Sequence, residues 1–233
     1  SMFDVVYFFD SFWRLLPALP MTLMLSVVSF AVGCVLGFLL ALARLGRFAV
    51  LRSSVAVFVS FFRGTPLLVQ LFLFYYGIPI AFMAMGTKFA FENLDALYYA
   101  LFVLSLHAAA YISEIARAAL LSVNRGQSEA GLSLGFSRFQ LLVYVILPQT
   151  FLSALPNLLN FFVLQVKNTS LASIITVPEL MGLADIESGR TSRFLEVYLM
   201  AALLYWALCV AFEAAFFALE KRLSHYKKRD NAR

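Results

Sequence analysis

The residues best placed to do chemistry in this chain are the few titratable side chains that stand inside long apolar stretches. Lys167 lies in an otherwise uncharged run and is followed directly by Asn168, Thr169 and Ser170. A charge in such a run is costly in a membrane and usually faces a polar interior or a water-filled path. We therefore predict that residues 167–170 line a path for a polar solute. The alternative is an ion pair between Lys167 and an acid of another apolar stretch, either Glu114 or Glu213.

A second group of polar residues shares one helix face at spacings of four and three, which are the spacings of neighbours on a helix surface. It consists of His107, Tyr111 and Glu114. This face could meet the solute, or Glu114 could simply pair with Arg117 three residues later. Further candidates for polar lining follow the same logic, with interhelical hydrogen bonds as the alternative. They are Asn157, Asn160 and Gln165.

The pattern of reactive side chains does not indicate an enzyme. His107 and His225 are not at metal-ligand spacing with other donors, and no Ser/His/Asp or Cys/His set is visible. Cys34 and Cys209 each lie inside an apolar run, where cysteine is typically a small packing residue. The chain has no Gly-x-x-x-x-Gly-Lys-Ser/Thr phosphate loop. We predict no metal and no cofactor in this chain.

The composition predicts the elements that must position these residues. Of the 233 residues, 62% are hydrophobic and only 13% are charged, whereas soluble domains carry roughly a quarter of charged residues. Several uncharged runs approach the roughly 20 residues that cross a bilayer as a helix. The runs are continuous rather than alternating, which favours helices over a barrel. The predicted fold is therefore an all-α integral membrane protein, with residues 1–233 forming a single transmembrane domain.

Five membrane spans are predicted, preceded by an amphipathic interfacial helix within residues 2–18. Thr65 and Pro66 are suited to the N-cap and first position of the second span. Pro79 should bend or end that span, and Pro148 should end or kink the helix that leads into the fourth. The predicted spans are residues 21–43, 66–86, 96–113 with an extension past Arg117, 148–166 and 197–219.

In the first span, small residues recur at every fourth position and so form one helix face. We expect this face to pack closely within the chain, with a subunit interface as the alternative. The residues are Ser29, Gly33, Gly37 and Ala41.

The distribution of basic residues predicts the orientation, because short cytoplasmic loops carry an excess of Lys and Arg. The net charge is +5, and five spans separate the two ends. An outer N-terminus and an inner C-terminus place most basic residues in the cytoplasm, including the basic tail. The inner segments then hold Arg44, Arg47, Arg52, Arg63, Arg117, Arg125 and Arg138; the outer ones hold Arg14, Lys88, Arg190 and Arg193.

Residues 122–149 form a long polar break, which this orientation places in the cytoplasm. We predict that Gly126 ends the preceding helix, that Ser128 caps a new helix of about six residues, and that Gly135 ends it. Ser137 and Gln140 have the spacing of a capping box for the next helix. A helix so short is not stable alone in water, so it requires a partner surface.

At this point the chain resembles the permease subunits of binding-protein-dependent ABC importers, in particular the polar amino acid uptake branch. The signature loop of that family usually has Glu-Ala-Ala, then Gly, then Ile-x-Leu-Pro. Here it appears as Glu129-Ala130-Gly131, Gly135 and Ile146-Leu147-Pro148, with Gly131 replacing the second alanine. Matching stretches extend from about Thr22 to Leu219 and include residues 63–70, 75–79, 110–117, 126–130, 147–149 and 167–171.

The resemblance implies a type I importer permease of the bacterial inner membrane that imports polar amino acids or close analogues. It implies pairing with a second permease, as a homodimer or a heterodimer, two ATPase subunits that bind ATP and Mg²⁺, and a periplasmic or lipid-anchored binding protein. Nucleic acid is not an expected partner, and membrane lipid is. The residues expected to couple to the ATPase are Ser128, Glu129, Ala130, Gly131, Leu132 and Gly135.

Two further interpretations remain open from the sequence. Arg63, with Thr65 and Pro66, belongs either to an inner gate or interface or, for Arg63, to a snorkelling anchor at the membrane surface. The chain could instead be a secondary transporter or channel that uses Lys167, Glu114 and Glu213 as ion carriers. That class commonly shows inverted repeats, and none is visible in the sequence.

Overall fold

The computed structural model describes residues 3–86 and 94–230, and the regular elements in these ranges are helices. Two 3₁₀ segments and one π turn connect or extend the α-helices, at Leu16–Ala18, Thr169–Ile175 and Leu142–Ile146 respectively. The α-helices are α1 Val5–Leu15, α2 Leu19–Leu45, α3 Ala49–Gly64, α4 Leu67–Ala84, α5 Ala96–Ser122, α6 Arg125–Ser133, α7 Arg138–Leu141, α8 Leu147–Asn168, α9 Leu180–Thr191 and α10 Phe194–Asp230.

Five helical stretches in the described residues are long and apolar enough to cross a membrane, which confirms the predicted number. The second and third begin at Leu67 and Ala96, within one residue of their predicted starts. The first is longer than predicted, because α1 continues through the 3₁₀ turn into α2. Lys88, one of the basic residues predicted to lie outside, is not among the described residues.

The structure changes the predicted cap of the second span and locates two of the prolines. Thr65 does not cap the second span; Pro66 occupies the N-cap position, and the Thr65 hydroxyl donates instead to the Phe61 carbonyl, 2.8 Å away. Pro79 does not end α4, which continues to Ala84. Pro148 stands in the first turn of α8, directly after the π turn, and thus close to the predicted start of the fourth span.

The centre of the subunit is the packing of α2 against α5. The small-residue face of α2 is fully covered, and a Cβ added to Gly33 would lie 2.5 Å from the Ala108 Cβ. At Gly37 the added atom would lie 2.9 Å from the Ala109 carbonyl oxygen. The small residues therefore bring two backbones of the same chain together, and this face of α2 is not available as a subunit interface.

The Gly33→Leu substitution is expected to lower the free energy of unfolding by about 1–3 kcal/mol, because overpacking forces α2 and α5 apart. The Ala108 backbone, at 3.2 Å from the added Cβ, cannot move as a flexible side chain can. Thermal unfolding in detergent measures the change. Val35→Leu on the exposed side of α2 is the matched control and should unfold at the wild-type temperature.

The amphipathic N-terminal helix α1 is packed on the chain itself rather than only on the membrane surface. Leu15 is fully buried in a cluster with Leu180 and Val197, and Tyr7 and Phe12 pack against that cluster. Residues 5–15 thus form the predicted helix, and one of its faces packs against α9 and α10.

Candidate functional site

The polar break contains helix α6, whose start differs from the prediction. Asn124 is the N-cap, and its side-chain oxygen accepts a hydrogen bond from the Gly126 backbone N–H at 2.8 Å. Gly126 therefore lies in the first turn of α6 and does not end α5, which stops at Ser122. Ser128 lies inside the helix rather than at its cap. The helix consequently has nine residues instead of the predicted six.

The end of α6 and the start of α7 confirm the predicted turn. Gly135 has a φ of +86°, which is the left-handed conformation that favours glycine. The capping box is present: the Gln140 N–H donates to the Ser137 hydroxyl at 3.2 Å, and the Ser137 N–H donates to the Gln140 side-chain oxygen at 2.9 Å. The angle between α6 and α7 is thus fixed by hydrogen bonds within a few residues.

The surface of α6 combines an acid with exposed apolar side chains. Glu129 and Ala130 are exposed, and Leu132 and Leu134 are 49% and 79% exposed. Gly131 is the buried position of this helix, and a Cβ there would meet the Leu141 Cδ1 at 2.5 Å. Gly131, which replaces an alanine of the family motif, therefore allows α6 to lie closely against α7. The remaining face is free to contact a partner.

A cluster of arginines surrounds Glu114 at one end of α5. Glu114 pairs with Arg44 of α2 and with Arg117, whose Nη2 lies 2.9 Å from its Oε2. The Arg63 Nη1 lies 3.9 Å from the Glu114 Oε1. The guanidinium carbon of Arg63 lies 5.6 Å from the centre of the Tyr111 ring. The predicted Glu114–Arg117 pair is confirmed, and pairing of Glu114 with Lys167 is excluded.

His107 belongs to a buried network instead of sharing an open face with Glu114. Its Nδ1 lies 3.0 Å from the Gln70 side-chain oxygen, and the Gln70 amide donates to the Phe62 carbonyl at 2.8 Å and to Thr65. The network joins α5 to the junction of α3 and α4. Sequence reasoning missed the role of Gln70, because its partners lie in α3, in the α3–α4 junction and in the distant helix α5. Tyr111 lies between His107 and Glu114, with its ring 4.8 Å from the His107 ring.

The residues around Lys167 divide into buried and exposed ones. The break in the apolar run is a change from α-helix to 3₁₀ helix after Asn168. Lys167 and Asn160, seven residues apart on α8, are both exposed, whereas Thr169 is buried and Asn168 and Ser170 are half-buried. In the described part of the chain Lys167 makes no ion pair, so pairing with Glu213 within the subunit is also not observed.

The other polar candidates of α8 follow the same division. Gln165 is buried and donates to the Ser29 hydroxyl at 2.8 Å, so the interhelical hydrogen bond was the correct alternative for this residue. Asn157 is exposed. Between α8 and α10, Asn160 lines a cleft of about 280 Å³ together with Glu213 and Glu220. A polar face thus extends along the exposed side of α8 and α10.

At the opposite end of the subunit, Glu179 is a buried acid that the sequence did not single out. It caps α9 by accepting from the Gly182 N–H at 2.9 Å, and it also accepts from the Tyr205 and Thr22 hydroxyls at 2.5 and 3.2 Å. Burial raises the pKa of this carboxyl above its usual value, although the hydrogen bonds from Tyr205, Gly182 and Thr22 act in the opposite direction. In the sequence Glu179 was one acid of a polar segment, and no spacing marked it as buried.

Glu187 holds α1 against α9 at the same end. It accepts from the Tyr7 hydroxyl at 2.5 Å and pairs with Arg190 at 2.8 Å and Arg14 at 3.4 Å. The hydrogen bonds from Arg190 lower the pKa of Glu187. Burial raises this pKa, but the hydrogen bond from Tyr7 and the positive charge of Arg14 lower it further, and the pKa stays below its usual value.

The stability of this contact is expected to fall in acid. Because the pKa of Glu187 in the folded protein lies below the usual 4.5, its ionised form stabilises the fold above pH 4.5, and the contribution disappears as the pH falls below that value. The unfolding temperature of Glu187→Gln should therefore depend less on pH below 4.5 than that of the wild type. Glu129→Gln, on an exposed helix face, should retain the wild-type dependence.

The comparison with known proteins identifies the class of this molecule. Residues 33–225 match the family described as binding-protein-dependent transport system inner membrane component, and the chain belongs to that family. It is thus a multi-pass membrane protein and a transport component, as the signature loop predicted.

Several relatives are similar over nearly their whole length. The probable amino-acid ABC transporter permease protein YckA of Bacillus subtilis (strain 168) is 40% identical over 97% of this chain and 96% of its own. The L-cystine transport system permease protein TcyB of the same organism is 40% identical over 93% of this chain and 90% of its own. The octopine transport system permease protein OccM of Rhizobium radiobacter is 39% identical over 94% of this chain and 89% of its own.

Solved structures agree with the fold. A crystal structure of an amino acid ABC transporter with histidines contains a chain that superposes with a TM-score of 0.83 at 30% identity, covering 94% of this chain and 99% of that one. An inward-facing methionine ABC transporter, MetNI, gives a TM-score of 0.65 at 23% identity and supports the fold alone, over 88% of this chain and 96% of its own.

Proposed function

We propose that this chain is the permease subunit of an ATP-driven importer for amino acids or close analogues. The observation that carries the proposal is the surface of α6. This helix lies outside the membrane spans, is fixed in angle by the Gly135 turn, and exposes Glu129 beside Leu132 and Leu134. An exposed apolar patch with an adjacent charge is typical of a protein–protein interface.

The partner of α6 is proposed to be a cytoplasmic ATPase subunit that binds ATP and Mg²⁺. Closure of the ATPase pair on ATP would move α6, and the rigid α6–α7 turn would transmit the movement to α8. ATP can shift the permease between inward-facing and outward-facing states only by favouring one of them, so the contact must differ between the states.

The arrangement in the membrane follows from the charge distribution. Arg44, Arg63 and Arg117 converge around one acid at the end of the subunit that also bears α6. We propose that this end is cytoplasmic, which gives an outer N-terminus and an inner C-terminus in the bacterial inner membrane. The end with Glu179 and Glu187 then faces outward, where a substrate-binding protein would deliver the solute. Arg63, Thr65 and Pro66 remain candidates for an inner gate.

The solute path is proposed to follow the exposed polar face of α8 and α10. Lys167 and Asn160 on α8, and Glu213 on α10, lie within helices that qualify as membrane spans. Exposure of a charged side chain to lipid at that depth is costly. A second permease subunit should therefore cover this face and enclose the path. The described neighbours of His107 and Glu114 already satisfy those side chains, which makes them positioning residues in this proposal.

The substrate class is supported by the names of the relatives. The relatives described above are named as permeases for amino acids, L-cystine or octopine. We therefore propose an amino acid substrate for this chain.

The Lys167→Met substitution tests the path. Methionine keeps the length of the side chain and removes the charge, so the subunit should fold and assemble normally while the rate of amino acid uptake falls at least tenfold. Arg222→Met at the end of the last span is the matched control and should transport at the wild-type rate. If Lys167→Met transports normally, Lys167 does not belong to the path.

The whole proposal is tested by reconstitution in proteoliposomes with a candidate ATPase and binding protein. Uptake of a labelled amino acid should require all three components and ATP. Uptake by the permease alone, driven by an ion gradient, would identify a secondary transporter or channel instead.

A further inference from the structure

Three guanidinium groups meet one carboxylate where the first membrane span ends. Arg44 lies in the last turn of α2 and Arg63 in the last turn of α3, and the Nη1 atoms of both approach the same oxygen of Glu114, Oε1. Arg117 binds the other oxygen, Oε2. Among the described residues, Glu114 is the one acid that pairs with these arginines. The cluster therefore keeps two positive charges without an acidic counter-charge.

Arg63 is the member of the cluster with unused hydrogen-bond donors. Its Nη1 lies 3.9 Å from Glu114, which is too far for a hydrogen bond, and within the described part of the chain it donates none. Its side chain is 47% exposed, whereas those of Arg44 and Arg117 are 23% and 33% exposed. The Tyr111 ring, 5.6 Å from the guanidinium carbon, orients the group by a cation–π contact. The structure thus presents an oriented guanidinium whose N–H groups can bind an anion.

The position of the cluster selects the kind of anion. The first span ends one residue after Arg44 and the second begins four residues after Arg63, so both side chains lie near the level of the lipid headgroups. Basic pockets between helices at this level bind the headgroups of anionic lipids. The neighbouring part of α3 exposes apolar side chains, with Val57 at 69% and Phe61 at 40%, which acyl chains can cover. A free phosphate ion would gain nothing from this apolar surface.

We propose that Arg63, beside the Arg44–Glu114 pair, binds the phosphate of an anionic phospholipid such as phosphatidylglycerol. The planar fork of Arg63 donates to two phosphate oxygens, an arrangement to which guanidinium groups are well suited. Arg44 keeps its bond to Glu114 and adds its positive charge beside the phosphate. The acyl chains lie along the exposed apolar side of α3. The site does not depend on the identity of the transported solute or on an ATPase.

Native mass spectrometry of the intact permease in neutral detergent measures the binding. Phosphatidylglycerol should bind about tenfold more tightly than phosphatidylcholine, which carries the same phosphate but no net charge. Arg63→Met should weaken the binding of phosphatidylglycerol about tenfold or more, because it removes charge-assisted hydrogen bonds. Arg63→Lys keeps the charge and loses the fork, so its affinity should be intermediate. Arg52→Met is the matched control, since it removes the same charge from an exposed position of α3 about three turns away, and it should bind like the wild type.

Two further measurements separate a lipid site from misfolding and from a site for free anions. Arg63→Met removes a half-exposed side chain that donates no hydrogen bond, so it should unfold at the wild-type temperature in lipid-free detergent. Inorganic phosphate at the same concentration should not displace phosphatidylglycerol, and displacement would overturn the assignment to a lipid. The proposal is also overturned if the two lipids bind equally, or if Arg52→Met weakens binding as much as Arg63→Met. Wild-type affinity of Arg63→Met or of Arg63→Lys would overturn it as well.

Discussion

The Glu129→Arg substitution is expected to abolish ATP-driven uptake while the permease stays folded in the membrane. Glu129 lies on the exposed face of α6 and makes no contribution to the packing of the subunit core. If α6 binds the ATPase, an inverted charge at the centre of the contact should weaken the complex about thirtyfold or more, which corresponds to an interface hot spot. The measurement is ATP-dependent uptake together with co-purification of the ATPase.

The control for this experiment is Ser53→Arg, which adds a positive charge on the exposed side of α3 at the same end of the subunit. It should neither release the ATPase nor reduce uptake. Normal uptake and normal co-purification of the Glu129→Arg variant would show that α6 does not couple the two proteins.

Removal of the Glu114 carboxylate is expected to produce the largest loss of stability among changes to charged residues. The Glu114→Ala substitution leaves Arg44, Arg63 and Arg117 close together without a counter-charge. The cluster is partly buried, with 19% of the Glu114 side chain exposed. The loss of unfolding free energy should therefore lie between the values for breaking an exposed ion pair and a fully buried one. We expect about 2–4 kcal/mol. Thermal unfolding in detergent provides the measurement.

A double mutant makes this test specific. If repulsion among the arginines causes the loss, Glu114→Ala combined with Arg44→Ala should be more stable than the sum of the two single changes predicts. Glu220→Ala, which removes an exposed acid of α10, should have little effect. Strictly additive effects would contradict a coupled cluster.

The features that the sequence predicted correctly depend on local patterns. The five spans follow from the length of uncharged runs, and the Ser137–Gln140 capping box follows from a spacing of three residues. Gly135 was identified because glycine adopts the left-handed backbone conformation of a helix-ending turn without steric cost. In each case the residues that determine the structure are neighbours in the chain.

The incorrect predictions concern competing local choices or contacts between distant segments. Asn124 and Ser128 are both good helix caps, and nothing local decided in favour of Asn124. Besides the predicted Arg117, Glu114 pairs with Arg44, which lies 70 residues away, and His107 contacts Gln70, which lies 37 residues away. Such pairs depend on how α2, α4 and α5 pack against one another. The packing of α2 on α5 involves the small-residue face of α2, and the sequence did not decide whether that face lies in the core or at a subunit interface.

Cysteine labelling determines whether α6 lies in the cytoplasm and whether it binds an ATPase. Leu134→Cys would be introduced into a chain in which Cys34 and Cys209 are replaced by alanine, because residue 134 is the most exposed apolar position of this turn. A membrane-impermeant maleimide should label it in inverted membrane vesicles and not in intact cells, and co-expression of the ATPase should block the labelling. Labelling from outside the cell, or labelling that the ATPase does not affect, would contradict the account.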